Sequence, residues 1–188
     1  MAKHMTKDEL LRSCRELSEL KRTSNRAPWT AMSTLCNWLL WKEEHWYRKK
    51  LVEYNQLVME YDRKLDDGEL ELKNLQKRLN LVGGFEIGYV PETYAEIKVP
   101  KSKGFRYELE RRRVDANNNI NDWSIRYLVI HFNVLMDMGY GYKRLNRVYK
   151  SVELRIGEHV KSDVGVMAMH RELIDGLGIY IEMPKKRG

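Results

Sequence analysis

Apolar residues recur at helical spacing through the first 82 residues of the chain. Thr6 and Glu9 have the spacing of a capping box, and the apolar residues that follow at intervals of three and four predict a first helix ending near Arg22. Between Trp29 and about Leu65 the sequence contains neither Gly nor Pro. This segment therefore predicts one long helix or two nearly continuous helices.

The second half of that long segment carries a heptad seam. Its apolar positions are spaced alternately four and three, at Tyr47, Leu51, Tyr54, Val58, Tyr61 and Leu65. An Asp-Asp-Gly turn signal at 66–68 precedes a second set with the same spacing, at Leu72, Leu75, Leu79 and Val82. We predict an antiparallel helical hairpin in which the two stripes face each other. The same hairpin offers an interface for a homodimer.

The pattern changes at Gly83, from helical spacing to alternation. The segments FEIGYV, YAEIKV and FRYELE alternate apolar and polar residues, and Pro91, Pro100 and KSKG separate them. This alternation predicts three short antiparallel strands.

The last third of the chain predicts helices again. Residues 125–138 are apolar on nearly all sides, which is typical of a central, buried helix. A Gly-Tyr-Gly stretch and an amphipathic segment follow, then a further helix, and IYIEM at 179–183 predicts a closing strand. We therefore predict a mainly helical α+β fold, with a helical region over 1–82, and with the small antiparallel sheet and a helical C-terminal region over 83–188.

The charge of the chain favours an acidic or nucleic-acid partner. The formal net charge is +7 and the pI about 9.3, a balance that favours contact with nucleic acid or an anionic protein surface. The start of the sequence has no apolar leader, and no apolar run approaches the roughly 20 residues of a membrane span. Two isolated cysteines, Cys14 and Cys36, give no disulfide framework. We expect a cytoplasmic protein without membrane contact.

The sequence contains no convincing catalytic or metal-binding pattern. None of the five histidines pairs with another His or Cys at metal-ligand spacing, and no nucleophile motif is present, so we expect no cofactor, no metal and no catalytic residue. One alternative is a metal-dependent nuclease. In PETYAEIK, Glu92, Glu96 and Lys98 resemble a nuclease pattern of carboxylates and a lysine, although an exposed strand explains the same alternation.

The stretch DMGYGYKRLNRVYKS raises two interpretations. It is either a plain corner between packed helices, or a helix-turn-helix within 125–160 that binds DNA or RNA. Its cations and two other basic clusters form a candidate nucleic-acid or partner-binding set: Arg111, Arg112, Arg113, Lys143, Arg144, Arg147, Lys150, Lys185, Lys186 and Arg187. Trp38, Trp41 and Trp46 either fill a core or are docking aromatics.

One part of the chain resembles a known kind of protein. LMDMGYGYKRLNRVYKSVELRI is similar to a segment common in small proteins of phages and mobile elements of gut Firmicutes, some of which are anti-CRISPR inhibitors of type II effectors. The resemblance covers residues 130–182. It implies a non-enzymatic protein that binds the RNA-guided nuclease and impairs its engagement of target DNA. Such effectors offer a positively charged channel, so a basic inhibitor would contact acidic protein surface or nucleic acid beside it.

Overall fold

The structure of the protein is a computed structural model, which describes residues 26–84, residue 87, residues 122–156 and residues 163–181. The chain divides into one unit of Met1–Pro28 with Val90–Trp123 and a second of Trp29–Tyr89 with Ser124–Gly188. Nearly all described residues belong to the second unit. They form six helices: α1 Arg26–Lys42, α2 Arg48–Asp66, α3 Leu72–Gly83, α4 at 122–137, α5 Tyr142–Arg155 and α6 Asp163–Leu177.

The predicted α+β fold is wrong for the part of the chain that the structure describes, because no strand occurs there. The three predicted strands over 85–110 lie outside the described residues, apart from Ile87, which is in a turn. Residues 179–181 of the predicted closing strand have no sheet partner among the described residues. Instead the Ile179 N–H donates to the Leu173 carbonyl and the Ile181 N–H to His170 Nε2, so this segment folds back on α6. The predicted boundary between residues 82 and 83 stays a prediction.

Two helices, not one, occupy the long Gly-free segment. The chain turns at residues 43–47, where the Glu43 N–H donates to the Leu39 carbonyl and the Trp46 N–H to the Leu40 carbonyl. These bonds satisfy two of the last four carbonyls of α1, which would otherwise lack partners. His45 adopts a positive φ of 55°, a left-handed conformation uncommon outside glycine, and so reverses the chain direction.

Helices α2 and α3 form the predicted hairpin. The Leu70 N–H donates to the Lys64 carbonyl beside the connection, and Arg78 of α3 donates to the Tyr61 hydroxyl of α2. Because later residues of α3 contact earlier residues of α2, the two helices are antiparallel. That the two stripes face each other stays a prediction, because their buried members Tyr54 and Leu75 bond to His131 and Asn133 of the helix at 122–137. Tyr47 and Val82, at the ends of the stripes, are exposed.

Helix α4 lies at the centre of the second unit, as its composition predicted. Every residue from Tyr127 to Leu135 is buried. Its side chains contact four other helices. Tyr127 stacks edge-on against Trp29 of α1, His131 bonds Tyr54 of α2, Asn133 donates to the Leu75 carbonyl of α3, and Phe132 packs on Tyr149 of α5.

The glycines at 139 and 141 make a helical corner. Gly139 has a positive φ of 86°, its N–H donates to the Met136 carbonyl, and the Tyr140 N–H donates to the Leu135 carbonyl. This pair of bonds is the Schellman motif that ends many helices. Gly141 is extended at φ −81° and is the N-cap of α5. The stretch is therefore a tight turn between two packed helices.

Helix α6 covers two of the tryptophans of α1. Glu172 accepts a hydrogen bond from Trp38 Nε1 and pairs with Lys42 at 3.0 Å. Gly176 lies so close to Trp41 that a Cβ added there would be 2.6 Å from the indole Cη2. The absence of a side chain at Gly176 lets this ring pack against the helix.

Gly176→Ala tests this packing. Alanine normally stabilises an exposed helical position by about 1 kcal/mol relative to glycine. Because the new methyl group collides with Trp41, we expect the opposite sign, a loss of about 1–3 kcal/mol in the free energy of unfolding in urea. In a Trp41→Ala background the same substitution should become stabilising. A higher stability of Gly176→Ala in the otherwise unchanged protein would contradict the proposed contact.

Candidate functional site

A cluster of rings and cations lies where the α1–α2 connection meets the corner before α5. Trp46 is 3% exposed, and its ring centre is 5.6 Å from that of Tyr54 and 5.7 Å from that of Tyr140. Two cations cover these rings. Lys50 Nζ is 4.2 Å from the centre of the Trp46 ring, and Arg144 Cζ is 4.0 Å from that of Tyr140. Cations over aromatic faces are favourable contacts, so α2 and α5 converge on one aromatic centre.

Glu44 joins the connection to α5. Its side chain is 3% exposed and accepts hydrogen bonds from Arg144 Nε at 2.6 Å, Arg147 Nη2 at 2.5 Å and the Tyr140 hydroxyl at 3.1 Å. Burial acts to raise the pKa of Glu44, but the bonds from Arg147 and Arg144 outweigh it, and the pKa lies below its ordinary value. The carboxylate is therefore charged near neutral pH, and α5 is held to the connection by a charge-assisted pair.

The predicted basic residues of α5 fall into two groups. Arg144 and Arg147 are exposed at their outer atoms, but both are engaged with Glu44. Lys143 and Lys150 are exposed and form no ion pair with any residue in the described part of the chain. Only the second pair is available to a partner without breaking a contact seen in the structure.

The other predicted basic clusters lie outside the described residues. These are Arg111, Arg112 and Arg113, and the tail residues Lys185, Lys186 and Arg187. The residues of the nuclease alternative, Glu92, Glu96 and Lys98, lie outside as well. All of these assignments stay predictions.

The tryptophans do not form a docking surface as a set. Trp46 is buried in the aromatic cluster, so the structure removes it from the predicted docking aromatics. Trp38 and Trp41 are half-buried, and α6 covers them. Arg155 and Lys42 also lie over their rings, at 5.4 and 3.8 Å from the ring centres. These two tryptophans thus serve mainly to attach α6 to α1.

Four surface residues of this region were missed by sequence analysis. Tyr47 is 81% exposed, and it is followed by exposed Arg48, Lys49 and Lys50. The heptad spacing assigned Tyr47 to the apolar seam, so its exposure was not predicted. A signal was present in the sequence, since Tyr-Arg-Lys-Lys is itself a cationic run beside an aromatic residue.

A polar chain in the core has the residue types of a catalytic site. His131 Nδ1 lies 2.7 Å from the Tyr54 hydroxyl, and His131 Nε2 lies 3.1 Å from Ser33 Oγ. Ser33 and Cys36 are at most 2% exposed and Tyr54 and His131 are fully buried, so none of these groups can reach a substrate in this structure. Burial raises the pKa of the Cys36 thiol to about 12, which leaves it an unreactive thiol. The chain of bonds instead ties α1, α2 and α4 together.

The chain matches no protein-family model, no curated protein and no solved structure. Among the described residues, no group of three or more His, Cys, Asp or Glu side chains is placed to hold a metal ion. None of the described helices is long and apolar enough to cross a membrane.

His131 makes the stability of the protein depend on pH. Complete burial lowers the pKa of His131 from 6.5 to about 3. The unfolded chain therefore binds a proton more readily than the folded protein as the pH falls below 6.5, and stability is lost in that direction. Between pH 6.5 and 5 we expect the free energy of unfolding to fall by about 1.6 kcal/mol, since the slope rises from half a proton at pH 6.5 toward one proton, which is about 1.4 kcal/mol per pH unit.

Urea unfolding at several pH values in this range measures the effect. His131→Gln should remove this part of the slope, whatever it does to the absolute stability. His45→Gln, a change of the same kind at an exposed histidine, should keep it. If the free energy of unfolding of the His131→Gln variant depends on pH as steeply as that of the natural protein, His131 is not the source of the pH dependence.

Proposed function

We propose that this protein is a non-catalytic binding protein that inhibits a nucleic-acid-handling complex. The candidate partner is a type II RNA-guided nuclease, the kind of complex implied by the resemblance of residues 130–182. The protein would act by occupying a surface that the complex needs for target DNA, and it would leave every substrate chemically unchanged.

One observation supports this proposal above the others. The described residues separate the reactive groups from the surface: the Ser33–His131–Tyr54 chain is in the core, whereas unpaired cations lie outside on α2 and α5. An arrangement of this kind can attract an anionic surface or a nucleic acid, whereas the buried Ser33, His131 and Tyr54 groups cannot act on a small substrate.

The helix that carries Lys143 and Lys150 is held in place by contacts at its beginning. The Schellman turn fixes the direction of α5, and the Glu44 bonds hold its first turns against the α1–α2 connection. Lys143 and Lys150 project from this fixed helix, and their side chains form no ion pair with a described residue. Binding through them would cost only the ordering of the two side chains, because the backbone is already held in place.

Co-elution with a type II RNA-guided nuclease, with and without guide RNA, tests the proposal. We expect a stable complex and a loss of target-DNA cleavage. Lys143→Glu with Lys150→Glu should weaken both by roughly tenfold or more, since charge reversal places like charges opposite the partner. Lys73→Glu with Lys77→Glu on α3, an equal change of charge at exposed positions, is the matched control. Failure to co-elute in either state, with normal cleavage, would contradict this function.

A direct DNA- or RNA-binding regulator is the second candidate. It is favoured by the α4–corner–α5 arrangement, in which the first turn of α5 exposes Tyr142, Lys143 and Arg144. Two facts weigh against it: Arg144 and Arg147 are engaged with Glu44, and Asn146, a residue type that reads bases, bonds to the Tyr142 hydroxyl.

A salt titration of binding to duplex DNA separates this candidate from the first. A regulator of this kind should bind a duplex in the absence of any protein partner, with an affinity that falls steeply with salt. Lys143→Ala should reduce the slope of log K against log salt by about one. A protein that co-elutes with the nuclease but shows no duplex binding at low salt would exclude the second candidate.

A further inference from the structure

We infer that a surface at the beginning of α2 binds single-stranded nucleic acid. This surface, the Tyr47 patch, consists of Tyr47, Arg48, Lys49 and Lys50. The inference deepens the proposed function and rests on it, because an unpaired strand of the target or guide is the kind of ligand that a nucleic-acid-handling complex presents.

The first observation is the exposure of Tyr47. Its ring is 81% exposed, the highest value among the large apolar and aromatic side chains of the described residues. Its neighbour Trp46 is in the core, so the connection places one ring inside and the next outside. Tyr47 is also at the N-cap of α2 with an extended backbone and makes no side-chain capping bond. Its side chain therefore does not cap the helix, and an exposed ring is a suitable surface for base stacking.

The second observation is that the cations of the Tyr47 patch are not neutralised. Arg48, Lys49 and Lys50 are all exposed, and none forms an ion pair with a residue in the described part of the chain. The nearby acids are engaged elsewhere or do not reach them. Glu44 is held by the two arginines of α5, and Glu43 accepts a hydrogen bond from Ser151. No ion pair with a described residue therefore cancels the positive charge of the patch, which can attract an anionic ligand.

The third observation is that a cation of the Tyr47 patch and a cation of α5 lie over the same buried aromatic cluster. Lys50 lies over Trp46, Trp46 contacts Tyr140, and Arg144 lies over Tyr140. Cations from both helices therefore add to the positive potential near the patch, which favours the phosphates of a strand. Arg144 stays bound to Glu44 and contributes to the potential without leaving that contact.

The combination of an exposed ring with cations selects an unpaired strand. In a duplex the bases are stacked within the helix, and a tyrosine on a protein surface reaches only the backbone. In a single strand the base faces are open, and stacking on an aromatic ring adds roughly ten-fold or more in affinity per base. An acidic protein surface would use the cations but would gain little from the ring. Substitution of Tyr47 therefore distinguishes a single strand from a duplex or an acidic protein surface.

Fluorescence anisotropy with a labelled oligothymidine of about 15 nucleotides tests the inference. We expect binding at low salt that weakens as salt rises. Tyr47→Ala should weaken binding roughly tenfold, whereas Tyr47→Phe, which keeps the stacking face, should bind like the natural protein. Arg48→Ala with Lys49→Ala should reduce the slope of log K against log salt by more than one unit. Lys73→Ala with Lys77→Ala on α3 is the matched control for net charge.

Three results would overturn the inference. One is no binding of the oligothymidine by the natural protein at low salt. Another is equal binding by the Tyr47→Ala and Tyr47→Phe variants. The third is an equal loss in the Arg48→Ala, Lys49→Ala variant and the α3 control, which would show that net charge alone is responsible. Each leaves the proposed function open to its own test, because co-elution with the nuclease and inhibition of cleavage are measured separately from binding to the free strand.

Discussion

The burial of α4 among four other helices is the constraint on which the rest of the described structure depends. A helix enclosed on all sides must carry apolar side chains around its whole circumference, and its polar groups need partners. His131 meets this requirement by bonding to Ser33 of α1 and Tyr54 of α2. The Asn133 Nδ2 donates to the Leu75 carbonyl of α3, whereas its Oδ1 is buried without a hydrogen-bond partner. Unlike apolar contacts, these bonds have direction, so they fix how the surrounding helices are rotated about the centre.

The candidate surfaces follow from that arrangement. Since α1 and α2 are both fixed on α4, the chain between them must reverse within residues 43–47, and Trp46 enters the core at this point while Tyr47 is left outside. The corner at Gly139 then brings α5 beside the connection, where Arg144 and Arg147 meet Glu44. Core and surface are thus coupled: the same turn that completes the aromatic core also presents the cations of α2.

Local pattern predicted part of this structure and failed where long-range contacts decided. The spacing of apolar residues correctly predicted a central helix over 125–138 and the α2–α3 hairpin. The alternation in IYIEM predicted a strand, but over residues 179–181 this prediction is wrong. The Ile181 N–H donates to His170 and not to a neighbouring strand. For the candidate site, the basic character of α5 was predicted. The sequence did not predict that Arg144 and Arg147 bond to Glu44, because the bonded residues are 100 or more positions apart in the chain.

Within the described residues, the sequence by itself determined that most segments become helices, which helix is central and where the glycine corner lies; the predicted first helix, ending near Arg22, lies outside those residues. These features depend on side-chain periodicity and on the backbone freedom of Gly139, and both act over a few residues. Only the tertiary structure decided that Trp46 is core, that Tyr47 is surface, and which cations remain unpaired. Those outcomes depend on which side of a helix meets another helix, and on which acid lies within bonding distance of which base. Such distances are set by the packing of the whole unit, because residues far apart in the chain become neighbours only when it folds.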